Sequence, residues 1–365
     1  MVAMTNPIQL TDLNEELTRL WDKEQGQKKI RASLFNLILY VQKTERAGFY
    51  QSLIKSVVSK FPCRVMLILF DENPSEEYLR TTVSSETLGE GEHQIYCEII
   101  RIEVAGKLSE RVPFLILPQI LPDLPVYLLW TQDPSTEGTV LPHLEPFADR
   151  IIFDSESTTN LQHYCRSVLS LKHRFHCAIG DLNWSALSGW RTIFAQVFND
   201  PESVLLLAQS KIIRIVYNNL RGPYLKHTDI AAAYLQAWLA SRLSWTFESI
   251  EINEGNIRLI YRRPLHEVIF LLVPQEEESL PPGAILSFEI ESMKDKGHYT
   301  FKRHPQTRQV FIQYSEKDRC DLPYCTHLSG NAAGQEIVEE IFYPSGGKHY
   351  WDMLDVLADI PWSRT

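Results

Sequence analysis

The run VPFLILPQILPDLPVYLLW, residues 112–130, is the feature that most restricts how this chain can fold. Its only charged residue is Asp123, and a run of about 20 apolar residues is long enough to cross a bilayer as a helix. Each interior proline, however, removes a backbone donor and costs a helix roughly 3 kcal/mol. The run contains Pro113, Pro118, Pro122 and Pro125. We therefore predict a helix, a tight turn at Pro122-Asp123 and a buried strand, with no membrane span.

Composition and charge are those of an ordinary globular chain. The 365 residues are 44% hydrophobic and 22% charged, which is typical of globular proteins. At about 150 residues a domain, we predict two domains, at residues 1–177 and 178–365. The N-terminal segment is polar and acidic and lacks the apolar core of a signal peptide, so we expect a cytoplasmic protein. The net charge of −10, with no Lys/Arg run longer than two residues, argues against nucleic acid as a partner.

The first half of the chain alternates apolar runs with helical patterns. Four runs favour buried strands: SLFNLILYV (33–41), CRVMLILFDE (63–72), PVYLLW (125–130) and DRIIFDSE (149–156). Apolar residues at helical spacing occupy residues 45–61 and 159–175. Strands that are apolar on both faces belong to sheets that helices cover on both sides. We therefore predict an α/β N-terminal domain with a mostly parallel sheet.

The second half of the chain has a different pattern. Apolar side chains spaced three or four residues apart predict a helix over residues 181–198: Trp184, Leu187, Trp190, Phe194 and Val197. A second helix is predicted over residues 229–245. Several strand patterns follow, with a hairpin around residues 305–307, and a helical segment closes the chain. We therefore predict an α+β C-terminal domain with an antiparallel sheet packed on helices.

The sequence contains no complete catalytic or cofactor motif. The dinucleotide fingerprint, the phosphate loop, the zinc-protease motif and the GxSxG elbow are each incomplete or missing. We therefore expect no catalytic residue, no cofactor and no metal site.

Two cysteines, Cys320 and Cys325, flank a proline-containing segment, CDLPYC. Three interpretations of the pair stay open: plain thiols, a redox pair that forms a reversible disulfide, and part of a metal site. A reducing cytoplasm normally keeps such thiols apart. We therefore expect no regulatory disulfide here.

Four segments occur in an order and at separations that resemble a known family: LPDLPVYLLW (121–130), ADRIIFDS (148–155), DLNWSALSGWR (181–191) and LQAWLASRLSW (235–245). Together they resemble the OpcA family, the glucose-6-phosphate dehydrogenase assembly proteins. The third segment is the most specific, because apolar periodicity does not require its charged ends. Two positions depart from the family's pattern: Ala186 stands where the family has arginine, and Trp130 is not preceded by a second tryptophan.

The resemblance implies a protein that binds glucose-6-phosphate dehydrogenase and promotes its active oligomer without catalysing a reaction. The residues that it implies for partner binding are Asp181, Trp184, Trp190, Arg191 and Arg242. The competing interpretation is an enzyme or a ligand-binding protein of sugar-phosphate metabolism. Its site would lie at the carboxyl ends of the parallel strands, near Asp71 or Asp154. A purely structural module is the third alternative.

Overall fold

The computed structural model describes residues 10–26, 29–44, 46–72, 74–89, 94–136, 138–222, 227–263, 266–293, 297–329, 335–342 and 346–362. The chain forms two compact units. The first contains residues 1–157, 171–182 and 332–344, and the second contains residues 158–170, 183–331 and 345–365. Each unit combines separate stretches of chain, and the single domain boundary at residue 177 stays a prediction.

The strands of the described residues are, in chain order, β1 (Ile30–Arg31), β2 (Asn36–Gln42), β3 (Arg64–Asp71), β4 (Leu79–Leu88), β5 (Ile95–Ala105), β6 (Val126–Trp130), β7 (Arg150–Phe153), β8 (Ala178–Asp181), β9 (Ser210–Asn218), β10 (Thr246–Asn253), β11 (Asn256–Arg262), β12 (Glu267–Gln275), β13 (Ile285–Ser292), β14 (His298–Arg303), β15 (Gln309–Glu316), β16 (Arg319–Cys320) and β17 (Tyr324–His327). The α-helices are α1 (Leu10–Gly26), α2 (Ala47–Val58), α3 (Val112–Ile116), α4 (Leu141–Leu144), α5 (Leu161–Lys172), α6 (Leu182–Ala186), α7 (Ser188–Val197), α8 (Pro201–Ala208), α9 (Ile230–Arg242), α10 (Gln335–Phe342) and α11 (Lys348–Asp359).

The first unit is built on a mostly parallel sheet. Its parallel strands lie in the order β5-β3-β2-β6-β7-β8, and β1 and the antiparallel β4 also pair with β5. This is the strand order of a doubly wound dinucleotide-binding fold, in which the first strand, here β2, lies between the second and the fourth. The residues of β2 and β3 are nearly all buried, because helices cover both faces of such a sheet. The predicted α/β class is confirmed.

The proline-rich run folds as its four prolines predict. Pro113 lies in the first turn of α3, where its missing N–H costs little. The chain turns at Asp123, whose φ is 63°, and β6 then enters the sheet between β2 and β7. In the part of the chain that the structure describes, no helix is long and apolar enough to cross a membrane.

A buried carboxylate ties α1 to the sheet of the first unit. Glu98 on β5 is 1% exposed and accepts hydrogen bonds from Nε of Arg64 at 2.6 Å and from the indole N–H of Trp21 on α1. Nε of Arg31 lies 2.7 Å from the same carboxylate, and the Arg31 guanidinium lies 4.4 Å from the Trp21 ring centroid. Two cations and an indole therefore satisfy one buried anion.

The second unit contains a mixed, largely antiparallel sheet. Its strands follow the order β10-β11-β12-β9-β13-β14-β15-β16, and β17 also pairs with β15. The predicted α+β class and the β14–β15 hairpin are confirmed. The sheet is not wholly antiparallel, because β9 runs parallel to β12. We did not predict β9 from the sequence, although it lies in the middle of the sheet.

The helix predicted over residues 181–198 is two helices, and this corrects the sequence analysis. The chain breaks at Leu187, where α6 ends and α7 begins. The ring of Trp184 packs on Tyr350 of α11, whereas Trp190 packs on Phe288 of β13. The two tryptophans therefore bury against different elements of the second unit.

Candidate functional site

Asp181 lies at the carboxyl end of β8 in the first unit and is fully buried. The hydroxyl of Ser155, which follows β7 closely, donates a hydrogen bond to Asp181 Oδ1 at 3.2 Å. Parallel pairing of β7 with β8 brings these two residues together. The Asp181 side chain is therefore inaccessible in this structure, and a partner-binding role for it stays a prediction.

Trp184 and Trp190 belong to the core of the second unit. They are 1% and 2% exposed, and their ring centroids lie 5.8 Å from Tyr350 and 5.6 Å from Phe288. Aromatic pairs at such distances stabilise a core beyond the area that they bury. Both rings are therefore part of the packed core, and a partner-binding role for these tryptophans stays a prediction.

Arg191 is held against Trp184. Its guanidinium carbon lies 3.6 Å from the Trp184 ring centroid, and one of its N–H groups donates to the Trp184 carbonyl oxygen. The side chain is half-buried on α7. These two contacts with Trp184 therefore restrict its position.

The structure brings Arg191 and Arg242 to one patch of the second unit, together with the exposed Lys348 and His349 at the start of α11. We call these four residues the basic patch. Partial burial of the imidazole lowers the pKa of His349, and the positive charges of Arg242, Arg191 and Lys348 lower it further, against the opposing charge of Asp352. Nη1 of Arg242 lies 4.0 Å from Asp352 Oδ2. Both arginines belong to the motifs of the sequence, whereas no sequence pattern placed α11 beside them.

Cys320 and Cys325 are exposed free thiols on neighbouring edge strands. Cys320 on β16 pairs with Ser315, and Cys325 on β17 pairs with Phe311, both on β15. Positions four residues apart on one strand are separated by about 13 Å, whereas a disulfide needs Cα atoms within about 7 Å. A direct disulfide would therefore require part of this strand pairing to open. Across the described ranges, no group of three His, Cys, Asp or Glu side chains could hold a metal ion.

The carboxyl ends of β2 and β7 are joined by an ion-pair cluster that the sequence analysis missed. Nη2 of Arg46 lies 2.6 Å from Asp154 Oδ2, and the Tyr50 hydroxyl donates to the same oxygen. The backbone N–H of Glu156 donates to Asp154 Oδ1 at 3.1 Å. Burial acts to lower the pKa of Arg46, but the carboxylates of Asp154 and Glu156, together with the hydrogen bond to Tyr50, outweigh burial and raise it.

Asp71, the other carboxylate of the competing interpretation, is also engaged by side chains of its own unit. The Tyr78 hydroxyl donates to Asp71 Oδ2 at 3.1 Å, and Nζ of Lys43 donates to the Tyr78 oxygen at 3.0 Å. The hydrogen bond with Tyr78 raises the pKa of Lys43, and Glu103, 3.6 Å from its Nζ, raises it further. This edge of the sheet is therefore a network of internal contacts.

Comparison with protein families identifies both halves of the chain. Residues 55–170 match the model described as the glucose-6-phosphate dehydrogenase subunit N-terminal domain, and residues 177–340 match the model of its C-terminal domain. Both models are those of OpcA, and together they cover more than half of the chain. The chain belongs to the OpcA family. The segment DLNWSALSGWR, the most specific of the resemblance, lies within the C-terminal match.

Curated members of the OpcA family align with part of the chain. A Synechocystis protein is 30% identical over 203 residues, and a Nostoc punctiforme protein is 25% identical over 206 residues; both carry the provisional name OxPP cycle protein OpcA. The alignments cover 55% and 53% of this chain but only 41% of each relative. The chain therefore matches about two fifths of the length of these OpcA proteins.

A solved structure resembles this OpcA-family chain in fold. KijD10, a 3-ketoreductase from Actinomadura kijaniata whose crystal structure contains TDP-benzene and NADP, aligns with a TM-score of 0.52 and 8% sequence identity. The alignment covers 89% of this chain and 94% of KijD10. At this identity the likeness concerns the fold alone.

Proposed function

We propose that this chain binds glucose-6-phosphate dehydrogenase and promotes its active oligomer without catalysing a reaction itself. The observation that carries the proposal is the pair of family matches, whose descriptions name a subunit of that dehydrogenase. The provisional OxPP cycle name of the curated relatives supports the same pathway. Asp71 and Asp154, the carboxylates of the competing enzyme interpretation, already make contacts within the chain. This supports a protein that binds the dehydrogenase without catalysing a reaction.

We further propose that the basic patch is the surface that meets the dehydrogenase. The basic patch sets Arg191, Arg242, Lys348 and His349 against Asp352 in a chain whose net charge is −10. Arginine is enriched at the residues that dominate binding energy in protein interfaces, and a charged rim speeds the association of complementary surfaces. In this proposal Arg242 and Lys348 contact acidic groups of the dehydrogenase. Trp184 and Trp190 act indirectly by holding α6 and α7 in place.

The experiment combines the two purified proteins at micromolar concentration. NADPH production reports dehydrogenase activity, and light scattering reports the mass of the complex. We expect the wild-type chain to raise both. Unchanged activity together with unchanged mass would reject the assembly role.

A charge-reversal variant tests the basic patch separately. We expect Arg242→Glu/Lys348→Glu to weaken the complex at least tenfold, whereas Lys302→Glu, at an exposed position on β14, should bind as the wild type does. Binding by the wild type should also weaken as salt rises, because salt screens exposed charges. If the complex forms equally well with both variants, the interface lies outside the basic patch. That result would not contradict the assembly role.

The competing function is a sugar-phosphate enzyme or binding protein. The observation in its favour is the fold shared with a 3-ketoreductase. Such a protein would bind a sugar phosphate in the absence of the dehydrogenase. Isothermal titration of the chain alone with glucose 6-phosphate distinguishes the two functions, and we expect no heat of binding.

A further inference from the structure

Arg46, Tyr50 and Asp154 meet where a doubly wound sheet ordinarily binds a dinucleotide. Such sheets bind their ligand at the switch point, a crevice between two neighbouring strands whose connections run in opposite directions. Here that point lies between β2 and β6, because β3 pairs with the other side of β2. The pyrophosphate of a dinucleotide would lie at the N-terminus of α2, the helix that follows β2.

The residues of this chain do not fit a dinucleotide at that position. The fold needs a glycine-rich turn so that the backbone can approach the pyrophosphate closely, whereas residues 43–46 read Lys-Thr-Glu-Arg. Arg46 directly precedes α2. Its side chain is only 14% exposed, and it is paired with the fully buried carboxylate of Asp154.

Two aromatic rings occupy the strands on either side of the switch point. Tyr40 of β2 and Trp130 of β6 are cross-strand partners, and their rings stack with centroids 4.4 Å apart and an angle of 11° between the ring planes. Both side chains are buried. The carboxyl ends of β2 and β6 therefore carry a packed aromatic pair as well as the nearby ion-pair cluster.

We infer that Asp154 supplies from within the chain the negative charge that a nucleotide phosphate would bring to the start of α2. Its carboxylate receives a guanidinium N–H, a phenol O–H and a backbone N–H, which are the kinds of donor that bind phosphate. The crevice is closed to dinucleotides, and the chain keeps the doubly wound fold without that cofactor. This inference is independent of the proposed binding to the dehydrogenase.

Replacing the internal anion tests the inference. In Asp154→Ala the carboxylate that Arg46 and Tyr50 share is removed, and we expect the melting temperature to fall. Inorganic phosphate, but not chloride at equal ionic strength, should restore part of the loss, because phosphate can take the place of the carboxylate. The wild type and the double variant Arg46→Ala/Asp154→Ala should show no phosphate-specific gain. A single variant that responds to phosphate no more than the double variant does would overturn the inference.

A second measurement uses the wild type and does not depend on the stability of the variant. Hydrogen exchange of α2 is followed with and without millimolar NADP+ or NADPH. We expect the same exchange rates in both samples. Slower exchange in the first turn of α2 on adding either nucleotide would overturn the inference, whatever the outcome with glucose-6-phosphate dehydrogenase.

Discussion

The guanidinium of Arg191 stacks on the indole of Trp184, with its carbon 3.6 Å from the ring centroid. The same arginine donates a hydrogen bond to the Trp184 carbonyl oxygen. Because Trp184 lies on α6 and Arg191 on α7, this contact braces the two helices across the break at Leu187. A residue of the family motif therefore has a role within the fold, whether or not it also contacts a partner.

Arg191→Ala should lower the free energy of unfolding by about 1–2 kcal/mol. The stack contributes about 0.5–1 kcal/mol at a partly exposed site, and the hydrogen bond about 1 kcal/mol. Tryptophan fluorescence during urea unfolding measures the change, with Lys302→Ala as a control at an exposed position. Stability equal to that of the wild type would show that the stack contributes nothing. Any effect of Arg191→Ala on partner binding could then be attributed to the lost side chain and not to a loss of stability.

Arg242→Gln should raise the pKa of His349. The substitution removes Arg242, the positive charge that lowers this pKa most, and leaves the charge of Asp352, which raises it. A pH titration of the His349 imidazole by NMR measures the effect, with Lys302→Gln as the control. An unchanged His349 pKa would mean that the two side chains are not neighbours in solution.

The same lowered pKa gives His349 a pH-dependent effect on stability. The folded state takes up this proton at lower pH than the unfolded chain, whose histidines titrate at about 6.5. Well above pH 6.5, His349 therefore does not lower the free energy of unfolding. As the pH falls through about 6.5, the unfolded chain takes up the proton first and the free energy of unfolding begins to fall. His349→Gln should lose less stability than the wild type between neutral and mildly acidic pH, as measured by urea unfolding.

Glu98→Ala should destabilise the first unit by about 3–5 kcal/mol, because removing one partner of a buried ion pair leaves the other charge uncompensated. Here the remaining charge is Arg64, itself 4% exposed. The matched control is Glu103→Ala on the same strand, since Glu103 is part-exposed and pairs with Arg101 and Lys43. Urea unfolding compares the variants. A loss no larger for Glu98→Ala than for Glu103→Ala would contradict the role of the buried network.

Iodoacetamide should modify Cys320 and Cys325 in the native protein and leave the buried Cys63, Cys97 and Cys165 unmodified. Burial raises the pKa of Cys63 and Cys97, which further reduces their reactivity. Peptide mass spectrometry after thiol trapping measures both groups. We expect no Cys320–Cys325 disulfide in peroxide-treated cells. A reversible bond between them, with dehydrogenase activation changing in step, would show that the β15 edge opens and acts as a redox switch.

Local sequence patterns predicted most of the elements of the first unit. Prolines at fixed positions divided the run 112–130, and continuous apolar runs marked β2, β3, β6 and β7. These signals are reliable because they depend on backbone geometry and on burial of both strand faces. The split at Leu187 was not predicted, since apolar residues three or four apart fit one long helix and two short helices equally well.

The sequence by itself determined the two fold classes, the family resemblance and the residues of its motifs. Only the tertiary structure decided which side chains meet. Arg46 and Asp154 are 108 residues apart in the chain, and strand order, set by packing across the whole sheet, makes them neighbours. Likewise, a Cβ at Gly180 would overlap the Glu340 carboxylate on α10, so any side chain there would require Glu340 to move. Periodicity reports whether a residue is buried, but its partners depend on contacts between distant segments, which no local pattern encodes.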